Sequence, residues 1–135
     1  MRIFLDANIL FSAAKSQGAV RRLVDLLAEA GHELWVDAYV LEEARRNLAA
    51  KAPGATATLE RLVRRMKGTQ TVRVDAALES TLPVHAKDRP VLAAAIHCRC
   101  GALVTGDSTH FGALYGKEIH GVAVHSPRSI ALALL

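Results

Sequence analysis

The chain has 135 residues, of which 51% are hydrophobic and 22% are charged. These values are typical of one globular domain, here residues 1–135, and they exclude a disordered chain. The net charge of +4 is compatible with a polyanionic partner without requiring one. Two cysteines, Cys98 and Cys100, are too few for a disulfide framework, and no apolar run approaches the ~20 residues of a membrane-spanning helix. We therefore expect a cytoplasmic protein without a membrane role.

The first half of the chain predicts two strands and three helices. The apolar run Arg2–Leu5 is typical of a buried strand that ends at Asp6, and a second strand is predicted at 33–36. Asp37 is expected to be the N-cap of the helix that follows this second strand. The helices are indicated by apolar stripes at helical spacing, which are Val20, Leu23, Leu26 and Leu27; Val40, Leu41, Ala44 and Leu48; and Leu59, Leu62, Val63 and Met66.

The second half of the chain continues the alternation of strands and helices. A strand is predicted at 70–74, after a break at Gly68, and further strands are predicted at 102–105 and 122–124. The alanine-rich run 91–98 indicates a helix with a proline near its start, and Ser126 begins a short terminal helix. This alternation predicts an α/β fold in which helices cover both faces of a parallel sheet.

Several acidic residues are expected at one edge of this sheet. Asp6 and Asp107 each follow a predicted strand, and the carboxyl ends of parallel strands are where ligands gather. Asp88 begins a predicted helix, and Glu42 or Glu43 lies early in another, so up to four carboxylates could converge. Such a cluster needs a raised pKa or a bound cation, and oxygen ligands suit Mg²⁺ or Mn²⁺.

Four motifs give the sequence a specific resemblance. They are LDAN at 5–8, VLEE at 40–43, KDRPVL at 87–92 and TGDSTHFG at 105–112. In content and order they resemble the motifs of PIN-domain ribonucleases, and in size and motif style the chain is similar to the VapC-like toxins of bacterial and archaeal toxin–antitoxin systems. The resemblance implies a three-layer α/β/α domain with a central parallel sheet that hydrolyses RNA phosphodiesters with bound Mg²⁺ or Mn²⁺.

The resemblance also implies roles for individual residues. Asp6, Asp88 and Asp107 match three catalytic, metal-binding acids of the family. Glu43 is the preferred fourth acid because it lies five residues before Leu48, although Glu42 stays open as the alternative. The ion or ions would activate a water molecule, so that no protein nucleophile is needed. Two polar residues, Asn8 and Thr105, are expected to orient the metal ligands.

The same resemblance implies several partners. They are an RNA substrate, a small antitoxin protein and a second copy of the chain in a homodimer. Lys15, Lys87 and Arg89 flank the acidic motifs, so we expect them to contact RNA. The arginines at 21–22, 45–46, 61 and 64–65 are expected to lie on solvated helix faces.

Some other functions are excluded by the residue types present, and others stay open. Asn8 stands where a haloacid-dehalogenase-like phosphatase would need a second acid, and the chain has no Walker or dinucleotide-binding glycine motif. A zinc site is disfavoured by the Cys-x-Cys spacing. His97, Cys98, Cys100 and His110 are therefore expected to be packing or surface residues, and Trp35 and Tyr39 core or interface anchors. The alternatives that stay open are a solitary RNA-processing nuclease and a PIN-like module that binds RNA or protein without cutting.

Overall fold

A six-stranded sheet lies at the centre of the described structure. The computed structural model describes residues 1–69 and 76–135. The strands are β1 Arg2–Leu5, β2 Glu33–Asp37, β3 Lys67–Thr69, β4 Ala102–Val104, β5 Glu118–Ile119 and β6 Val122–His125. Their order across the sheet is β3-β2-β1-β4-β6-β5, and every neighbouring pair is parallel except the pair formed by β5 and β6. The predicted parallel α/β sheet is therefore confirmed, with one short antiparallel strand added at an edge.

Helices flank this sheet, as the alternation of strands and helices predicts. Asp37 caps the long third helix as expected, because its Oδ1 accepts a hydrogen bond of 3.0 Å from the amide of Val40. None of the described helices is long and apolar enough to cross a membrane. Their bounds are α1 Ala7–Lys15, α2 Ala19–Glu29, α3 Ala38–Lys51, α4 Thr56–Val63, α5 Ala76–Thr81, α6 Arg89–His97, α7 Ser108–Phe111 and α8 Pro127–Leu134.

The centre of the core is β1 with its two neighbours. Ile3, Phe4 and Leu5 are at most 1% exposed, as expected for a parallel strand covered on both faces. In the register with β4, Leu5 pairs with Val104, and the amide of Asp6 donates to the Val104 carbonyl at 3.0 Å. This pairing places the residues that follow β1 beside those that follow β4, at the carboxyl ends of the two strands.

Three parts of the structure differ from the predictions. Helix α1 was not expected, although Asp6 is its N-cap and accepts a hydrogen bond from the amide of Ala7. Gly68 does not break the chain but pairs with Val36 inside β3, while the predicted strand 70–74 lies outside the described residues. The short elements α5, α7 and β5 also carry no periodic signal in the sequence, because each has six residues or fewer.

Some of the arginines expected on solvated faces also make specific contacts. The Arg21 guanidinium donates to the carbonyls of Ala13 and Ala14, at 2.7 and 3.0 Å, and thereby caps the carboxyl end of α1. Arg45 forms two hydrogen bonds with Glu60, at 2.7 and 3.0 Å. Exposed pairs of this second kind stabilise a fold little, whereas the Arg21 contact fixes the packing of α1 against α2.

Candidate active site

An acidic cleft opens at the carboxyl ends of β1 and β4, with a volume of about 370 Å³. All four predicted acids, Asp6, Glu43, Asp88 and Asp107, line it. Asp6 directly follows β1, Asp107 is the N-cap of α7 after β4, and Asp88 lies at the start of α6, while α3 contributes Glu43. Segments far apart in the chain therefore bring their carboxylates to one depression, which we call the acidic cleft.

Asp6 is the anchored acid of the cleft. It is 5% exposed, and its Oδ2 accepts hydrogen bonds from Thr105 Oγ1 at 2.8 Å and from Asn8 Nδ2 at 3.3 Å. Burial raises the pKa of Asp6 to about 6, against the opposing effect of the hydrogen bonds from Thr105 and the Ala7 amide. The negative charges of Glu43 and Asp88 raise this pKa further. A bound cation would stabilise the ionised form of this acid.

Asn8 and Thr105 connect the ends of the two central strands. Thr105 Oγ1 accepts from the amide of Asp107 at 3.1 Å, and Asn8 Oδ1 accepts from the amide of Gly106 at 2.8 Å. Asn8 Nδ2 also donates to Thr105 Oγ1 at 3.3 Å. These hydrogen bonds hold Asp6 and the backbone of Asp107 in a fixed relation, which is the arrangement that an orienting role requires. That role itself stays a prediction.

Among the described residues, Asp88, Asp107 and His110 form a group that could hold a metal ion, which we call the Asp–Asp–His cluster. Their ligand atoms all lie within 4.8 Å of one another. His110 Nδ1 is 2.7 Å from Asp88 Oδ2 and 3.0 Å from Asp107 Oδ2. Asp88 Oδ2 is a buried oxygen without a hydrogen bond among the described residues, and His110 Nδ1 is its close neighbour. Two carboxylates therefore face one imidazole, with unsatisfied accepting capacity between them.

The two adjacent glutamates of α3 face different surroundings. Glu43 lines the acidic cleft, and its charge acts on Asp6. The side chain of Glu42 is 72% exposed and lies 4.0 Å from Arg46, one helical turn further on. Neighbouring helix positions diverge by ~100°, so both glutamates cannot face the cleft. The geometry favours Glu43 as the fourth acid, and its catalytic role stays a prediction.

The basic residues expected to contact RNA are dispersed. Lys87 lines the acidic cleft, but the Arg89 guanidinium donates to the Val84 carbonyl at 3.2 Å. Lys15 lines a separate surface depression next to Arg21 and Arg61. Of these three cations, the structure brings Lys87 alone to the cleft, and RNA contacts by all three remain untested.

The sequence reasoning missed four residues of the cleft. Tyr39, Arg46 and Asn47 share the cleft-facing side of α3 with Glu43, from which they are separated by three or four positions. That spacing is a signal which could have identified them. Tyr39 was expected to be a core or interface anchor, but it is 38% exposed and is therefore not a core residue. Its hydroxyl donates to the Lys87 carbonyl at 3.3 Å, and partial burial raises its pKa.

The fourth missed residue is His110. It is exposed, as expected of a surface residue, but its ring also contacts two of the acids, which the sequence did not predict. It lies three residues after Asp107, within a helical turn that Asp107 begins, which was the available signal.

Cys98 and Cys100 are buried, and burial raises the pKa of the Cys100 thiol to about 12. The Cys98 carbonyl accepts from Arg2, at the opposite end of β1 from the cleft.

The donor set fits a divalent cation. Carboxylate oxygens suit Mg²⁺ and Mn²⁺, and one imidazole nitrogen is compatible with Mn²⁺. Two observations indicate negative charge without enough compensation: the unpartnered buried oxygen of Asp88 and the raised pKa of Asp6. Asp88 and Asp107, with Asp6 and Glu43 beside them, are the residues that would hold the ion.

Comparisons with known proteins agree with this geometry. The chain has the fold of VapBC2 from Rickettsia felis, solved with a DNA fragment from their promoter, with a TM-score of 0.68 and 18% identity over 93% of this chain and 98% of that chain. It has the fold of FitAB bound to IR36 DNA, with a TM-score of 0.57 and 20% identity over 93% and 94% of the two chains. No curated protein matches the sequence. The PIN domain model matches residues 2–109, and the chain therefore belongs to the PIN domain family.

Proposed function

We propose that this protein is a metal-dependent endoribonuclease that hydrolyses RNA phosphodiester bonds and serves as the toxin of a type II toxin–antitoxin pair. The observation that carries the proposal is the convergence of Asp6, Glu43, Asp88 and Asp107 in one cleft of a PIN domain. A surface that merely bound RNA would gain nothing from four clustered negative charges, because they repel phosphate. The same four negative charges would instead attract a divalent cation.

The residues of the cleft have separate tasks in this proposal. A bound Mg²⁺ or Mn²⁺ ion supplies Lewis-acid activation of water and neutralises charge on the phosphate. Asp6 stays oriented because Thr105 and Asn8 hold its Oδ2. Lys87 and Arg46 line the same cleft and offer positive charge to the RNA backbone. Hydrolysis by water requires no covalent intermediate with the protein.

The ribonuclease activity is tested with Asp107→Asn, which removes one ligand charge at nearly constant shape. We expect cleavage of a labelled RNA in Mn²⁺ or Mg²⁺ to fall by at least ~100-fold, and chelation to abolish cleavage by the unaltered protein. Asp25→Asn is the matched control, because it removes the same charge from an exposed residue paired with Arg65. An Asp107→Asn protein that cleaves RNA at the native rate, purified free of contaminating nuclease, would contradict the proposal.

The toxin assignment rests on different support. VapBC2 and FitAB, which share the fold of this chain, are both complexes bound to DNA. By analogy we propose that this protein forms a homodimer and binds a small antitoxin that covers the acidic cleft. An arginine of that antitoxin would pair well with the carboxylates, because its planar guanidinium can bind a carboxylate with two hydrogen bonds.

Expression of this protein alone should then slow growth, and co-expression of a cognate antitoxin should restore growth. The Asp107→Asn variant should be harmless at the same expression level. Harmless expression of an active ribonuclease would instead indicate a solitary RNA-processing enzyme. RNA binding without cleavage, unchanged by Mn²⁺, would indicate a binding module.

A further inference from the structure

We propose that His110 is a nitrogen ligand of the divalent cation and that it makes the acidic cleft bind Mn²⁺ in preference to Mg²⁺. This inference rests on the proposed function in one respect, namely that the cleft holds a divalent cation. It adds a residue outside the four acids and predicts a metal preference that an all-oxygen site would not have.

The position of the His110 ring carries the proposal. Its Nδ1 faces both Asp88 Oδ2, at 2.7 Å, and Asp107 Oδ2, at 3.0 Å. Among the described residues, the ligand atoms of these three side chains lie close enough to one another to share one ion. His110 therefore presents a donor atom to the same point as two of the acids.

The surroundings of His110 hold it in this position. Asp107 Oδ1 accepts a hydrogen bond from the His110 amide at 3.1 Å, so the acid fixes the backbone of the histidine beside it. The ring is stacked on His85, with centroids 4.9 Å apart and planes inclined by 8°. A ligand that is already oriented loses little conformational freedom when it binds a metal ion.

An ion pair between a protonated His110 and the two aspartates is the competing explanation. The same two contacts, at 2.7 and 3.0 Å, would form that pair. The two explanations predict opposite effects of His110→Ala: loss of a metal ligand weakens cation binding, whereas loss of an ion-pair partner frees the carboxylates and strengthens it.

The metal preference follows from the nitrogen donor. Both ions favour oxygen ligands, but Mg²⁺ binds little else and keeps several waters. Mn²⁺ is a first-row transition-metal ion, and even as the weakest binder of that series it tolerates a nitrogen ligand better than Mg²⁺ does. Removing the imidazole should therefore weaken Mn²⁺ binding more than Mg²⁺ binding.

The test uses the chelator-treated protein and the metal ions alone, without RNA. Mn²⁺ affinity is measured by electron paramagnetic resonance of free Mn²⁺, and Mg²⁺ affinity by competition. We expect His110→Ala to weaken Mn²⁺ binding by ~10-fold or more and Mg²⁺ binding by less than ~3-fold. His110→Gln, which keeps a side chain of similar length with an oxygen donor, should lose the preference while still folding. The control is His97→Ala, an exposed histidine at the end of α6.

A direct spectroscopic measurement completes the test. The Mn²⁺-loaded protein and its His97→Ala variant should show ¹⁴N modulation in pulsed electron paramagnetic resonance, and His110→Ala should lack it. Absence of the nitrogen signal from the loaded native protein would overturn the proposal. So would an increase in affinity for both ions in His110→Ala, which would identify His110 as an ion-pair partner that the cation displaces.

These outcomes separate the inference from the proposed function. Metal-dependent RNA cleavage without a nitrogen ligand would overturn the role of His110 and leave the nuclease intact. Failure of the native protein to bind any divalent cation would overturn both.

Discussion

Asp6 shows how a single buried carboxylate connects stability with metal binding. Its pKa of about 6 lies above the ordinary value of 3.8 because burial removes water from the charged form. The hydrogen bonds from Thr105 and Ala7 compensate for part of that loss. At neutral pH the metal-free protein therefore carries a charge that its fold does not fully stabilise.

This imbalance predicts a pH dependence that Asp6→Asn should remove. Because the folded protein holds the Asp6 proton more tightly than the unfolded chain, its free energy of unfolding falls as pH rises from about 4 through 6. The loss due to Asp6 is roughly 3 kcal/mol over this window. We expect Asp6→Asn to gain stability relative to the native protein between pH 4 and pH 7, measured by urea unfolding with chelator present. A difference that is independent of pH, or that shrinks as pH rises, would contradict the assigned cause.

Helix α3 shows how one element selects which side chains enter the cleft. Tyr39, Glu43 and Asn47 recur every four residues on its cleft-facing side, and Glu42 points to solvent. The helix is fixed in this rotation by the burial of Val40, Ala44 and Leu48 on the side adjacent to the cleft-facing one. The choice between two adjacent glutamates is therefore made by the core packing of the helix.

The matched pair Glu43→Gln and Glu42→Gln tests this selection. Both variants remove one negative charge from neighbouring positions of the same helix. We expect Glu43→Gln to weaken Mn²⁺ binding by ~10-fold or more, as measured by calorimetry, and Glu42→Gln to change it by less than ~2-fold. The larger effect in Glu42→Gln would reverse the assignment.

Helices α1 and α7 were not predicted, because neither shows a readable alternation of apolar and polar residues. Helix α1 buries Ile9, Leu10, Ala13 and Ala14, and before Lys15 its only polar residues are Asn8 and Ser12, which are too few to mark a solvent face. The four residues of α7 form about one turn, which is too short for any periodicity to be read. His110 lies in that turn, so its three-residue spacing from Asp107 was the one indication of its place in the cleft, without any apolar period to support it.

At the scale of the whole molecule, the residues that come together in the cleft were easier to predict from the sequence than the order of the strands in the sheet. The rule that strand carboxyl ends share an edge brought Asp6 and Asp107 together, and the family resemblance added Asp88 and Glu43. The position of β1 between β2 and β4 depends on packing between distant segments, which no local pattern encodes. The same holds for the close approach of Asp88 to His110.

A cation held by residues from separate segments should stabilise the folded molecule as a whole. The unfolded chain cannot assemble the acidic cleft, so Mn²⁺ at 100 times its dissociation constant should add about 2.7 kcal/mol to the free energy of unfolding. Thermal unfolding should show a higher midpoint with Mn²⁺ than with chelator. Asp107→Asn should show a much smaller shift, and an equal shift in both proteins would mean that the ion binds elsewhere.

The hydrogen bond between Thr105 and Asp6 spans 99 positions of the chain, and this distance has a consequence for biosynthesis. Strand β4 must leave the ribosome before it can pair with β1, and pairing between such distant segments is slow to form. Asp6 and Glu43 are synthesised early, but they cannot form the cleft before Asp107 has been synthesised. A nascent chain that lacks β4 would therefore carry most of the acids without the cleft, and the acidic cleft can form only after β4 and Asp107 have been synthesised.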